Sequence, residues 1–198
     1  MSALGFLLEG AGLEVTGRGV VRVPTIPDVI GHDMRVLMCG LNPSIYSADV
    51  GVNYARPGNR FWPAALAAGL VSRDRDPFHA LTHHGIGWTD LVKRATVAAS
   101  SLTNEEYAHG VERLRFLVGW LRPAAVCFVG LSGWRATMDR RAVAGEQPGG
   151  FAGAPAYVMP NTSGLNASSQ HADFVAHLRA VMALAGATGS RERSCADC

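Results

Sequence analysis

The sequence predicts an α/β fold in which a parallel sheet is covered by helices on both sides. Three observations predict it. Uninterrupted apolar runs such as Arg35–Cys39 and Ala124–Val129 suit strands buried on both faces. Segments with apolar residues at three- and four-residue steps stand between and after the runs, as helices do. Strands alternating with helices are the pattern of a parallel sheet with crossover helices. In that architecture ligands sit outside the carboxyl ends of the strands.

The elements follow in order. Residues 1–34 mix Gly, Pro and the β-branched stretch Val20-Val21-Arg22-Val23-Pro24 and read as an N-terminal extension. The domain proper spans 35–185. Arg35–Cys39 is its first strand. Phe61–Ala68 is Ala-rich and helical, with Asn59 as a cap in front and Gly69 as a stop. Ile86–Leu91 is a weaker strand. Thr103-Asn104-Glu105-Glu106 has the spacing of a capping box. Tyr107, Val111, Leu114, Val118 and Leu121 then mark one helix face, which Pro123 ends. Ala124–Val129 is the strongest strand. Gly145–Ala154 is Gly- and Pro-rich and reads as a loop. Ala156–Met159 is a strand, Asn161–Ala167 a polar loop, and Ser169–Leu184 a helix with Phe174, Leu178 and Val181 on one face. Residues 186–198 read as a flexible tail.

Composition narrows the function classes. A chain of 198 residues with 48% hydrophobic side chains can bury one core. Charged residues at 17% argue against wholesale disorder. A net charge of +2 means that nucleic acid must be met by a local patch. The basic set is seventeen arginines and one lysine, Lys93. No run reaches the ~18 apolar residues of a membrane span. The start lacks a basic segment and carries Glu9, so a cytoplasmic protein is expected. Cys39 and Cys127 sit in apolar runs and read as core thiols, while Cys195 and Cys198 lie in the polar tail. Neither these nor His83-His84, whose adjacent side chains diverge, build a metal site, and no cofactor is expected.

Two polar loops leave strand ends and face one cleft. The first runs Gly40-Leu41-Asn42-Pro43-Ser44 through Ser47-Ala48 to Pro57 and Asn59-Arg60-Phe61-Trp62. The second is Met159-Pro160-Asn161-Thr162-Ser163-Gly164-Leu165-Asn166. With Gly85-Ile86-Gly87-Trp88-Thr89-Asp90-Leu91-Val92 between them, they resemble the mismatch-specific uracil/thymine DNA glycosylases, the Mug and thymine-DNA glycosylase group. The likeness covers about residues 35–185. It implies a three-layer α/β/α sandwich on a mostly parallel four-stranded sheet. It also implies removal of uracil, from G:U mismatches in double-stranded DNA, by base flipping and water attack at C1′. The expected partner is duplex DNA containing uracil or a related damaged base. The protein would be a monomer that joins the nucleoid when bound.

The resemblance also distributes roles. Asn42 matches the residue that positions the water; an amide is a weak base but a good orienter. Tyr54 matches the aromatic that stacks on the extruded base, and groups near Leu41 and Asn161 line the base pocket. Gly164, Leu165 and Asn166 match the wedge that fills the vacated stack. Thr162 and Ala167 depart from the pattern there, in place of a usual proline and a common arginine. Asp90 is a second catalytic candidate, because a desolvated carboxylate can act as general base; it could equally cap a helix or pair with Arg94. Ser47, Arg56, Arg60, Lys93 and Arg94 are the expected phosphate contacts. Lys93 is the one side-chain amine able to form a Schiff base, and a monofunctional enzyme is expected. Two other readings stand beside this one. A protein of the same cleft could bind a lesion without cleaving it. Gly130-Leu131-Ser132-Gly133-Trp134 with His171 could instead be a serine hydrolase site, although it departs from the GxSxG pattern.

Overall fold

The computed structural model describes the backbone of residues 2–196 and the side chains through residue 187. Its centre is a five-stranded sheet. Strands β3 (Val36–Gly40), β4 (Ile86–Asp90), β5 (Val126–Val129) and β7 (Ala154–Met159) run parallel, and β6 (Gly145–Phe151) pairs antiparallel with β7 at one edge. The order across the sheet is β4-β3-β5-β7-β6. The register of β3 on β4 sets Gly40 beside Asp90 at the carboxyl ends of both strands.

The sheet is covered on both faces, as the buried runs predict. Alternate residues of β3 point to opposite layers. Val36 and Met38 join Trp88, Phe61, Trp62, Phe174 and Leu178, which brings α3 (Phe61–Ala68) and α7 (His171–Ala196) onto one face. Leu37 and Cys39 join Phe128, Leu114, Val118 and Trp134, which brings α5 (Asn104–Leu121) and α6 (Leu131–Thr137) onto the other. The capping box and the glycine stop form as expected, whereas Asn59 stands one residue before the cap position of α3, Arg60, which makes no side-chain cap bond. Asn59 Oδ1 accepts from the Phe61 N–H at 2.9 Å, and Gly69 ends α3 with φ 77°. Thr103 and Glu106 close a reciprocal capping box at the start of α5.

Among the differences from the sequence reading, three concern the sheet edge and the two ends of the chain. The Gly145–Ala154 segment is a strand for most of its length, so the sheet has five strands. An edge position explains it. Pro148 and the glycines cost no interior ladder bonds there, and a bulge between Gln147 and Phe151 absorbs the irregularity. The turn at Ala152 and Gly153 has positive φ at both residues and folds β6 onto β7. The last helix continues as backbone to Ala196, through most of the stretch expected to be a tail; the side chain of Cys195 and all of Cys198 lie outside the described residues.

The third difference lies at the N-terminus. Helix α1 (Ala3–Gly10) and the hairpin of β1 (Leu13–Thr16) and β2 (Gly19–Arg22) precede a segment built into the domain. Ile26, Val29 and Met34 are buried, and Val29 exchanges two main-chain hydrogen bonds with Trp88, at 3.0 and 2.8 Å. Residues up to 34 are therefore not all an appendage. Asp28 in this segment lies between Lys93 and Arg113, with 2.7 Å to each, and the side chains of all three are buried. Burial works to raise the Asp28 carboxyl, but the two cations outweigh it and hold the group below the ordinary range.

Candidate active site

The cleft forms where β3 and β4 end. Gly40 is required there on steric grounds. A Cβ on it would lie 2.2 Å from Asp90 Oδ1 and 3.2 Å from the Tyr54 hydroxyl, so a carboxylate and a phenol converge on the space above its backbone. Asp90 is 3% exposed, and its Oδ2 accepts from Asn53 Nδ2 at 3.1 Å. Burial pushes its carboxyl up to about 6; Lys93 and Arg113 oppose that rise, and Asp28 adds to it. Arg113 holds the strand end from below by donating to the Asp90 main-chain oxygen and to Thr89 Oγ1. Asp90 is therefore neither a helix cap nor a partner of Arg94, which pairs with Glu106.

Tyr54 adopts the left-handed conformation, φ 58°, unusual for a bulky residue. Its ring stacks on Phe61 with centroids 4.3 Å apart, and Trp88 meets it edge-on with centroids 6.4 Å apart. The residue is half-buried, but its hydroxyl is fully buried without a hydrogen-bond partner, as is Asn53 Oδ1. Burial, and then the nearby Asp90, raises the phenol well above its usual range. Two orphaned polar atoms beside the Asp90 carboxylate call for a ligand or water to satisfy them.

Asn42 lies two residues past the end of β3. Its Nδ2 donates to Arg94 O at 3.0 Å, Thr96 Oγ1 at 2.8 Å and Pro43 O at 3.2 Å. Two of these are carbonyls, which accept only, so the amide orientation is fixed. Among the described residues nothing donates to Oδ1, which remains an available acceptor. The chain then forms a short helix, α2 (Ile45–Val50), where the sequence reads as loop; the Ser44 hydroxyl caps it by accepting from the Ser47 N–H at 3.1 Å.

The second loop faces the first and is tied to it. Arg60 donates from its side chain to Ser169 O at 2.7 Å, to Ser163 O at 3.0 Å and to Asn166 O, and its N–H donates to Thr162 O at 2.9 Å. Gly164 packs against the Gly58 main chain so closely that a Cβ would lie 2.9 Å from Gly58 O. Asn166 folds the loop on itself by donating to Asn161 O at 2.7 Å. Thr162 is buried, so the departure from proline is packed inside the loop. Leu165 is left at the apex, 87% exposed. Asn161 lies exposed at the base of the loop, its Cβ against Gly130 at the end of β5. The Leu41 carbonyl accepts from the Val92 N–H at 2.9 Å, which commits it to the sheet end.

The expected phosphate contacts need correction. Lys93 is 4% exposed and spends its ammonium on Asp28 and Ile26 O, so it reaches no phosphate. Ser47 is buried against the Ser44 hydroxyl. Arg60 has its guanidinium on loop carbonyls. Arg94 is half-exposed but paired with Glu106. Arg56 is exposed and has no ion-pair partner among the described residues. Sequence reasoning missed Asn53, Asp28 and Arg113. Asn53 had one available signal, its place next to Tyr54 in the first motif. Ser132 is exposed on α6 and makes no hydrogen bond with His171 or an acid among the described residues, so no triad forms. No metal-holding group of His, Cys, Asp or Glu occurs among the described residues, and no helix there is long and apolar enough to cross a membrane.

A family model described as the Uracil DNA glycosylase superfamily matches residues 27–184. Its start falls within the packed segment around Val29. The fold is similar to the solution NMR structure of a Methanosarcina acetivorans protein provisionally named a uracil DNA glycosylase. The TM-score is 0.54 at 22% sequence identity, covering 79% of this chain and 96% of that one. At that identity the likeness bears on the fold alone.

Proposed function

From membership of the uracil DNA glycosylase superfamily, to which the chain belongs, we propose that it is a monofunctional glycosylase of the mismatch-specific type. It removes uracil, preferentially opposite guanine, from duplex DNA as a monomer. The observation that carries this reading is the pinned Asn42 amide. Its donors are consumed by the protein, and its free acceptor can orient a water at the strand ends where Asp90 lies buried.

The chemistry follows from what must be stabilised. The C1′–N1 bond breaks with both electrons leaving on uracil, and the sugar gains oxocarbenium character. Asn42 Oδ1 accepts a hydrogen bond from the water whose oxygen attacks C1′. The Asp90 carboxylate takes the proton that this water loses, and its charge offsets that of the oxocarbenium ion. Uracil departs as an anion, later protonated by solvent. The Tyr54 ring face turned away from Phe61 receives the extruded base; such stacking contributes ~1–3 kcal/mol per base. Leu165 enters the gap left in the helix. The chain's one lysine is locked on Asp28, which supports release of an abasic site without a Schiff base.

The test is single-turnover excision from duplexes with uracil opposite guanine or adenine, and from a single strand. Wild type, Asn42→Ala and Asp90→Ala are compared. Loss in both variants supports a water oriented by Asn42 and deprotonated by Asp90. Full activity in Asn42→Ala would move water positioning elsewhere. Binding of uracil duplex by wild type without any base release would convert the reading to lesion binding. A covalent adduct trapped by borohydride would refute the monofunctional assignment.

A further inference from the structure

One buried side chain in the cleft takes no part in water attack or base stacking. Asn53 is 3% exposed and donates from Nδ2 to Asp90 Oδ2 at 3.1 Å. Its main chain is fixed in turn, because the indole N–H of the fully buried Trp62 donates to Asn53 O at 2.7 Å. The backbone of Asn53 is thus held from the core of α3, which sets the point from which its amide reaches the carboxylate. On the other side, Gly40 leaves only the volume of a missing Cβ for Asp90 Oδ1.

We infer that Asn53 is a positioning residue for base release: it fixes the Asp90 carboxylate above Gly40 and favours its ionised form. The inference rests on the reading of Asp90 as the group that takes the proton from water. The groups around Asp90 explain why an amide matters. Lys93, from the loop after β4, and Arg113, from α5, favour the charge. Asp28, from the N-terminal segment, opposes it, as does burial. Tyr54 and Cys39 also face the group, and burial pushes both of their titrations far up, so they stay neutral. The two cations spend their hydrogen bonds on Asp28, on Ile26 O, on Thr89 and on the Asp90 main chain. Among the described residues, Asn53 alone donates a hydrogen bond to the carboxylate itself. A donor to the charged form lowers a carboxyl pKa. Its removal leaves Asp90 buried with attraction through space only.

Two measurements test this on the full-length protein. The first is the pH dependence of single-turnover uracil release for wild type, Asn53→Ala and Asn53→Asp. The second is a carbon-13 titration of the Asp90 side-chain carboxyl, assigned with Asp90→Asn, with thermal unfolding to check the fold. Wild type should show an acid limb near the Asp90 value. Asn53→Ala should move that limb and the carboxyl titration upward together by about one unit, a tenfold change in proton affinity, and recover much of the rate at high pH. Asn53→Asp should move both further, because two carboxylates then share one proton. A uniform fall in rate with an unmoved limb, or a carboxyl titration unchanged in both variants, would overturn the inference alone. No uracil release by wild type at any pH would overturn the glycosylase reading and this inference with it.

Discussion

The Arg60 guanidinium donates to the Asn166 main-chain oxygen, joining the first motif to the loop that carries Leu165. The same group reaches Ser163 O and Ser169 O and lies over the Phe174 ring, 4.8 Å from its centroid. An exposed loop with a leucine at its apex would otherwise sample many shapes. Arg60 gives it one. The residue that reads from sequence as a phosphate contact works instead as an internal splint.

Arg60→Ala should therefore act on both stability and DNA. It leaves several loop carbonyls without partners, each costing on the order of 1 kcal/mol. We expect a lower midpoint of thermal unfolding and a fall in uracil release of about tenfold or more from duplex DNA, with less effect on a single strand. Arg60→Lys should restore little, because one ammonium cannot span three carbonyls in a planar fork. Equal losses on duplex and single strand would show that the loop shape is not what Arg60 supplies.

Leu165→Ala isolates the wedge. The side chain is 87% exposed, so stability should change by less than ~0.5 kcal/mol. Base release from duplex should fall, since no apolar group then fills the vacated stack. Release from a single strand, where no paired stack has to be refilled, should stay as in wild type. A variant with unchanged duplex activity would assign the filling role to another residue.

Much of this architecture was legible in the sequence, for identifiable reasons. Runs such as Val36–Cys39 and Ala125–Val129 have to be buried on both faces, and the Thr103–Glu106 spacing encodes its own cap. Edge strand β6 was not legible, because Gly-Pro composition signals a loop unless the pairing partner is known. Asn42 and Asp90 stand out as polar residues at strand ends. The destination of a long side chain is a different matter. Arg60, Lys93 and Arg113 are all arginine or lysine in the sequence, and only tertiary packing decides that the first splints a loop while the others flank a buried Asp28.

That buried cluster gives a stability prediction. Lys93→Met removes one of two cations from Asp28, whose side chain is only 4% exposed. Breaking a buried pair from one side costs about 3 kcal/mol or more. Asp28 has a folded-state pKa below its unfolded one, so its contribution is present above the unfolded pKa and is lost as pH falls through the folded pKa. With Lys93 gone, the folded pKa rises, and acid unfolding should begin at higher pH than in wild type. Chemical denaturation from about pH 3 to about pH 7 reads both effects; identical acid midpoints would remove Asp28 as the group responsible.

Asp90 should have the reverse dependence. Its carboxyl is pushed from the ordinary 3.8 up to about 6 on folding, chiefly by burial. The folded state then binds the proton more tightly than the unfolded chain does. Stability is highest below the unfolded pKa and is lost as pH rises through the window from about 4 to about 6. A rise of that size corresponds to roughly 3 kcal/mol of destabilisation at about pH 8. Asp90→Asn is nearly isosteric, carries no charge and keeps an oxygen for the Asn53 donor. It should unfold at higher temperature than wild type at about pH 8, lose that advantage near pH ~4, and release no uracil. Wild-type activity should fall with acid around pH 6, as the carboxylate is protonated. A variant less stable than wild type at about pH 8 would mean that the ionised carboxylate is favourable in the fold, and that its cations outweigh burial.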